Sequence, residues 1–146
     1  MDALDAIRLR RTVRRYVPRR VPERDLDRLL RLALLAPTES MAQAWSFIVV
    51  RERREALADI VVRGGGEYFR VMRSRAPGAS EPEHAAWARE YAEGVVGGVR
   101  AAPVWIVPVL VPRATVPPEH RERLREHERT AALMSLAFAV ENLFIA

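Results

Sequence analysis

The sequence predicts one domain that mixes helices with short strands, and three observations lead to this prediction. The chain has 146 residues, of which 49% are hydrophobic and 29% charged, as in a folded globular domain of ordinary size. Two apolar runs, 45–50 and 102–111, are typical of buried strands. Segments with apolar residues at helical spacing lie before, between and after these runs, so helices surround the predicted sheet.

The composition excludes several classes of protein. The chain has no cysteine, which rules out a disulfide framework, a thiolate zinc site and a cysteine nucleophile. No apolar run reaches the roughly 18 residues of a membrane span, and the N-terminus does not resemble a signal peptide. A cytoplasmic protein without a membrane partner is therefore expected.

The helices are predicted from apolar spacing and from the residues that end them. Pro22 suits the first turn of a helix, and Pro37 ends the helix that it opens. The three glycines at 64–66 are expected to end another helix, and the apolar half of the last helix is expected to be buried. The predicted helices cover about 2–10, 22–36, 53–62, 83–98 and 119–146, with an extended segment at 12–16 and loops at 36–45 and 73–85.

Five arginines fall between Arg8 and Arg15, separated by apolar and β-branched residues. All 24 basic residues of the chain are arginine, and the net charge is +5. A guanidinium binds phosphate well, so the run predicts an anionic ligand, with a solvated basic surface as the simpler alternative. Nucleic-acid binding is a third reading. Acidic residues follow at 23, 25 and 27, and neither an aromatic stacking platform nor a helix-turn-helix pattern is present, which argues against it.

Four separated stretches resemble the nitroreductase family in order and spacing: IRLRRTVRRY (7–16), VPERDLDRLLRLALLAPTESMAQAWSFIVV (21–50), APVWIVPVLV (102–111) and AFAVENLFIA (137–146). The resemblance implies an α+β fold with a central, mostly antiparallel sheet flanked by helices. It implies an intertwined homodimer that binds FMN and takes hydride from NADH or NADPH. The implied acceptor is a nitroaromatic, a quinone or a related small molecule.

The resemblance also implies the residues that bind FMN. Arg10 and Arg14 would make ionic contacts with the phosphate, Thr12 would donate a hydrogen bond, and Arg11 would lie alongside. In the loop at 36–45, Thr38, Glu39 and Ser40 would lie along the flavin ring, which in the family is reached from the partner subunit. Gln43 and Trp45 would support this loop. The implied cofactor-binding set is Arg10, Arg11, Thr12, Arg14, Pro37, Thr38, Glu39, Ser40 and Gln43, and neither a catalytic residue nor a metal ligand is assigned.

Two departures from the family pattern lie in this loop, where Met41 replaces the usual Asn and Ala44 the usual Pro. The family continues past its central helix, so residues 1–146 are expected to form a single domain that is incomplete at its C-terminus. Two other readings stay open: a degenerate relative that dimerises or binds flavin without turnover, and a member of the flavin-fragmenting branch that makes dimethylbenzimidazole.

Three further features are assigned simpler roles. Glu141 lies in an apolar helix and needs a partner, for which an arginine of the first segment or of a second chain is the hypothesis. His120 and His127 are expected on a solvated helix face. Trp87 and Tyr91 are expected to form a packing pair.

Overall fold

The computed structural model describes residues 2–111, 113 and 117–146. The order of its elements is that of an α+β fold, as predicted. The elements are α1 (Ala3–Leu9), α2 (Glu23–Ala33), β1 (Trp45–Val50), α3 (Arg54–Met72), α4 (Glu81–Gly97), β2 (Trp105–Leu110) and α5 (Arg121–Ile145), with short 3₁₀ turns at Glu39–Met41 and Pro118–His120. None of the helices described is both long enough and apolar enough to cross a membrane.

β1 and β2 form a two-stranded sheet. The amide of Val111, just after β2, donates to the carbonyl of Ala44, just before β1, at 2.9 Å, so the strands are antiparallel. Both were predicted to be buried, and this is wrong for much of their length. Ile48 and Pro108 are exposed and most of the other strand residues are half-buried, because a sheet of two strands has little of its own surface covered.

The chain divides into two compact units. The first comprises 2–11, 21–49 and the described part of 106–146; the second comprises 12–20 and 50–105. In the first unit α2 packs on α5, and the buried centre is Ala36, Trp45 and Ala139, flanked by Phe47 and Leu136.

The prediction that the second half of α5 is buried is wrong within this chain. Only Ser135 and Ala139 of α5 are buried, because the helix contacts α2 along one side. The side-chain amide of Asn142 donates through Nδ2 to the carbonyl of Leu32, near the end of α2, at 3.1 Å. The exposed large apolar side chains of α5 are Leu133, Met134, Phe138 and Phe144.

The second unit is built on α3 and α4, which pack together around Ala58, Val62, Ala92 and Val96. The predicted end of α3 at the three glycines is wrong, since the helix continues to Met72. Two of the glycines lie in the interface: a Cβ on Gly65 would be 3.3 Å from the Ala92 Cβ, and one on Gly66 would be 3.4 Å from the Arg89 Cα. The glycines thus let two helices approach closely, and this packing offsets their low helix propensity.

Arg100 ties the ends of these two helices together. Its guanidinium binds both carboxylate oxygens of Glu93 on α4 at 3.0 Å and reaches Glu55 and Asp59 on α3 at 3.1 Å. The hydrogen bond from Arg100 lowers the pKa of Glu93. A bidentate arginine pair of this kind fixes geometry as well as charge.

Candidate cofactor site

The loop at 37–43 follows α2 and is folded by its own hydrogen bonds. The Gln43 amide donates to the Thr38 hydroxyl at 3.0 Å, and the Ala42 amide donates to the Glu39 carbonyl at 2.9 Å. The Trp45 amide then donates to the Gln43 carbonyl at 2.8 Å, which carries the loop into β1. Gln43 therefore supports the loop through its backbone.

Three non-glycine residues of this loop have left-handed backbone conformations. Their φ angles are 47° at Ser40, 52° at Met41 and 43° at Gln43. The left-handed region costs an ordinary residue about 1–2 kcal/mol. Such residues persist only where their surroundings fix them, and they cluster at ligand sites. The loop that the sequence singled out is thus the one place among the described residues where positive φ angles accumulate outside glycine.

α5 supplies two of the contacts that fix the loop. The Ser135 hydroxyl accepts from the Glu39 amide at 3.4 Å and donates to the Ala131 carbonyl at 2.7 Å. His127 is exposed on α5, as predicted, and its Nε2 lies 2.9 Å from Glu39 Oε1. Ser135 was not among the predicted site residues; its signal in the sequence is a small polar residue inside an apolar helix.

Arg10 and Arg11 also belong to the first unit. Arg10 Nε lies 3.8 Å from Glu141 Oε1, which confirms an arginine of the first segment as the partner of Glu141. Arg11 Nη1 donates to the carbonyls of Arg8 and Arg10 at 2.7 and 2.9 Å. Arg11 therefore caps the C-terminal end of α1, which leaves only part of its guanidinium for a ligand.

α5 contacts both groups of predicted residues in this unit. Glu141 pairs with Arg10, and Ser135 holds Glu39. The two α5 positions are six residues apart, about 9 Å along a helix axis. The structure thus connects Arg10 and the loop through one rigid element.

Thr12 and Arg14 belong to the second unit, in the segment 12–20 that we call the arginine arm. Every residue of the arm is exposed, and none is in a helix or strand. In the described part of the chain, no carboxylate pairs with Arg14. A guanidinium and a hydroxyl that lack protein partners are the donors that a phosphate dianion requires, so the chemistry of this pair fits FMN.

The remaining predicted pair, Trp87 and Tyr91, lies on α4. Their rings stack with centroids 5.5 Å apart, and Tyr91 also meets Phe69 edge-on at 4.8 Å. This confirms the prediction of a packing pair.

Comparison with known proteins places the chain in a family. The Nitroreductase family matches residues 7–146. A protein from Methanothermobacter thermautotrophicus, whose name includes NADH dehydrogenase/NAD(P)H nitroreductase, is 45% identical over 53 residues, which are 36% of this chain and 28% of that protein.

Two solved structures share the fold. A BluB-like flavoprotein from Clostridium difficile has a TM-score of 0.73 at 21% identity, over 99% of this chain and 68% of that one. A nitroreductase with bound FMN from Bacteroides fragilis has a TM-score of 0.63 at 20% identity, over 99% and 63%. This chain thus spans about two thirds of these structures, and its match covers under a third of the curated relative. By its match over 7–146, the chain belongs to the nitroreductase family.

Proposed function

We propose that the chain binds FMN and acts as an NAD(P)H-dependent flavin oxidoreductase of the nitroreductase type. The observation that carries this proposal is the strained loop at 37–43, fixed by α5, in a chain of this family. The bound FMN of the B. fragilis structure and the nicotinamide donor in the name of the archaeal relative support it. The proposed acceptor is a nitroaromatic, a quinone or a related small molecule.

The proposed roles are those that the resemblance implies, and the contacts of the residues support them. Arg14 and Thr12 bind the phosphate, since their hydrogen-bond donors lack protein partners in the described part of the chain. Arg10 shares its charge with Glu141. Arg11 contributes the guanidinium N–H groups that its capping of α1 leaves free. The loop at 37–43 reaches the flavin ring from the partner subunit, as the resemblance implies. FMN, when bound, supplies the hydride-transfer chemistry, and the chain supplies binding and orientation. The proposed flavin-contacting loop residues are Pro37, Thr38, Glu39, Ser40 and Gln43.

Flavin retention tests the proposal. The purified chain is incubated with FMN, passed through gel filtration and examined by its absorption spectrum. We expect about one flavin per chain, bleached by NADH or NADPH under anaerobic conditions. Arg14→Gln should lose flavin, whereas the control Arg24→Gln, an exposed arginine outside the run that pairs with Asp25, should retain it. A colourless wild-type protein would contradict the proposal, and a flavin that NAD(P)H cannot reduce would identify a degenerate relative.

The same proposal includes a homodimer. Four large apolar side chains on α5, Leu133, Met134, Phe138 and Phe144, are 46–63% exposed. A second copy of the chain would cover them, as the family membership implies.

A second candidate function is fragmentation of reduced FMN. The similarity of the fold to the C. difficile BluB-like flavoprotein and a hydrophobic residue, Met41, in place of the usual Asn favour this candidate. It predicts that reduced FMN under oxygen yields dimethylbenzimidazole, detectable by mass spectrometry. Stoichiometric reoxidation to intact FMN would exclude it.

A further inference from the structure

Gly98, directly after α4, lies beneath the arginine arm in the second unit. A Cβ built on Gly98 would lie 2.1 Å from the carbonyl oxygen of Arg14, 3.2 Å from its carbonyl carbon and 3.6 Å from Arg15 Cγ. Real Cβ atoms essentially never approach other atoms within 3.0 Å. The nearest obstacle is backbone, which cannot swing aside as the end of a long side chain can. Any side chain at position 98 therefore displaces the arm.

The requirement for glycine at this position is one of space and not of backbone conformation. Gly98 has φ −68° and ψ −22°, which every residue adopts readily. The nearby Gly94 and Gly97 differ, because a Cβ on either would meet nothing within 4 Å. Among these three glycines, only Gly98 is required by its contacts.

The arm has few other anchors in its unit. In the part of the chain that the structure describes, no backbone hydrogen bond ties 12–20 to the rest of the second unit. The Tyr16 hydroxyl donates to the Val13 carbonyl at 3.1 Å, a bond internal to the arm. The Cα–H bond of Gly98 that a side chain would replace is directed at the Arg14 carbonyl oxygen. This is the arrangement of a Cα–H···O contact. The close approach at Gly98 thus sets the distance between the Arg14 backbone and the C-terminal end of α4.

We propose that Gly98 is a positioning residue for phosphate binding by Arg14. This inference rests on the proposed function, in which Arg14 binds the FMN phosphate. Charge-assisted hydrogen bonds between guanidinium and phosphate depend on distance and angle, so a displaced arm loses them even though Arg14 is still present. Gly98 touches no ligand itself and acts only by letting the arm lie close.

Flavin affinities with and without the phosphate test the proposal. Dissociation constants for FMN and for riboflavin are measured by fluorescence titration on wild type, Gly98→Ala and the control Gly97→Ala. We expect Gly98→Ala to bind FMN about tenfold more weakly or worse, with riboflavin affinity unchanged and Gly97→Ala like wild type. An equal loss for both flavins would indicate general damage and overturn the positioning role.

A double-mutant cycle asks whether Gly98 acts through Arg14. If it does, adding Gly98→Ala to Arg14→Gln changes the FMN dissociation constant by less than about twofold. Full additivity of the two losses would overturn the inference. If the wild-type protein binds no flavin, both the proposed function and this role of Gly98 are wrong. If Gly98→Ala binds FMN as tightly as wild type, only the positioning role is wrong.

A flavin-free measurement covers the case in which Gly98→Ala does not fold. The chain has no cysteine, so spin labels at Arg15→Cys and Gly94→Cys, both exposed, report one distance from the arm to α4. We expect a narrow distance distribution while Gly98 is present and, where the variant folds, a shifted or broader one in Gly98→Ala. A broad distribution with Gly98 present would overturn the proposal.

Discussion

Met41 combines an unfavourable backbone conformation with an almost fully exposed side chain. Its φ is 52° and 89% of its surface is accessible, so the side chain gains little from packing that would offset the strain. Asn is one of the few non-glycine residues that adopt the left-handed region readily. The usual Asn of the family at this position therefore has a conformational reason in this structure.

This reasoning predicts that Met41→Asn stabilises the chain. We expect the free energy of unfolding to rise by up to about 1 kcal/mol, because the left-handed conformation becomes less costly. Urea denaturation measures it. Met41→Val is the matched control and should destabilise, since a β-branched side chain is worse still at positive φ. A stability order of Val above Asn would show that the loop does not hold this conformation in solution.

Residue chemistry predicted part of the candidate site but not its supports. Arginines close together in sequence and a motif-bearing loop are visible to sequence reasoning because they are local. The contacts of Glu39 with His127 and Ser135 are not, because they join residues 88 and 96 positions apart. The partner of Glu141 could be inferred, since an ionisable residue in an apolar stretch needs one.

At the scale of elements, α3 shows that a glycine run does not have to end a helix. Sequence reasoning correctly predicted the elements but ended α3 about ten residues early, at glycines that favour a helix end when a helix is considered alone. Tertiary packing decided otherwise, because Gly65 and Gly66 face α4 at contact distance. Local propensity predicts the end of a helix poorly where a neighbouring helix packs closely against its glycines.

Substitution of these glycines separates propensity from packing. A Cβ on Gly64 would meet nothing within 4 Å, whereas one on Gly65 would lie 3.3 Å from the Ala92 Cβ. Gly64→Ala should therefore raise the free energy of unfolding by about 0.5–1 kcal/mol, the gain from helix propensity. Gly65→Ala should gain less or nothing, because crowding at Ala92 offsets it. Thermal unfolding followed by circular dichroism compares them, and destabilisation by Gly64→Ala would mean that α3 ends at the glycines.

At the scale of the whole molecule, the interior of the chain is made mostly of small residues. Its fully or nearly fully buried apolar residues are largely alanines, and no large side chain of the described residues is completely buried. Large apolar residues instead lie on the surface, several of them on α3 and on α5. The apolar composition of α5 predicted its burial, but the described residues do not cover the large apolar side chains of this helix.

The proposed homodimer supplies that cover and makes a last prediction. Phe138 and Phe144 are 46% and 63% exposed on α5, and burial of a phenylalanine contributes about 1.5–3 kcal/mol. If a second copy covers this face, Phe138→Glu and Phe144→Glu should convert a dimer into a monomer in gel filtration with light scattering, since each would bury an unpaired charge. Val71→Glu is the control, because Val71 is 72% exposed on α3 and lies outside this face. A monomeric wild type would mean that no second copy covers this face, and a dimer that tolerates both glutamates would mean that its interface lies elsewhere.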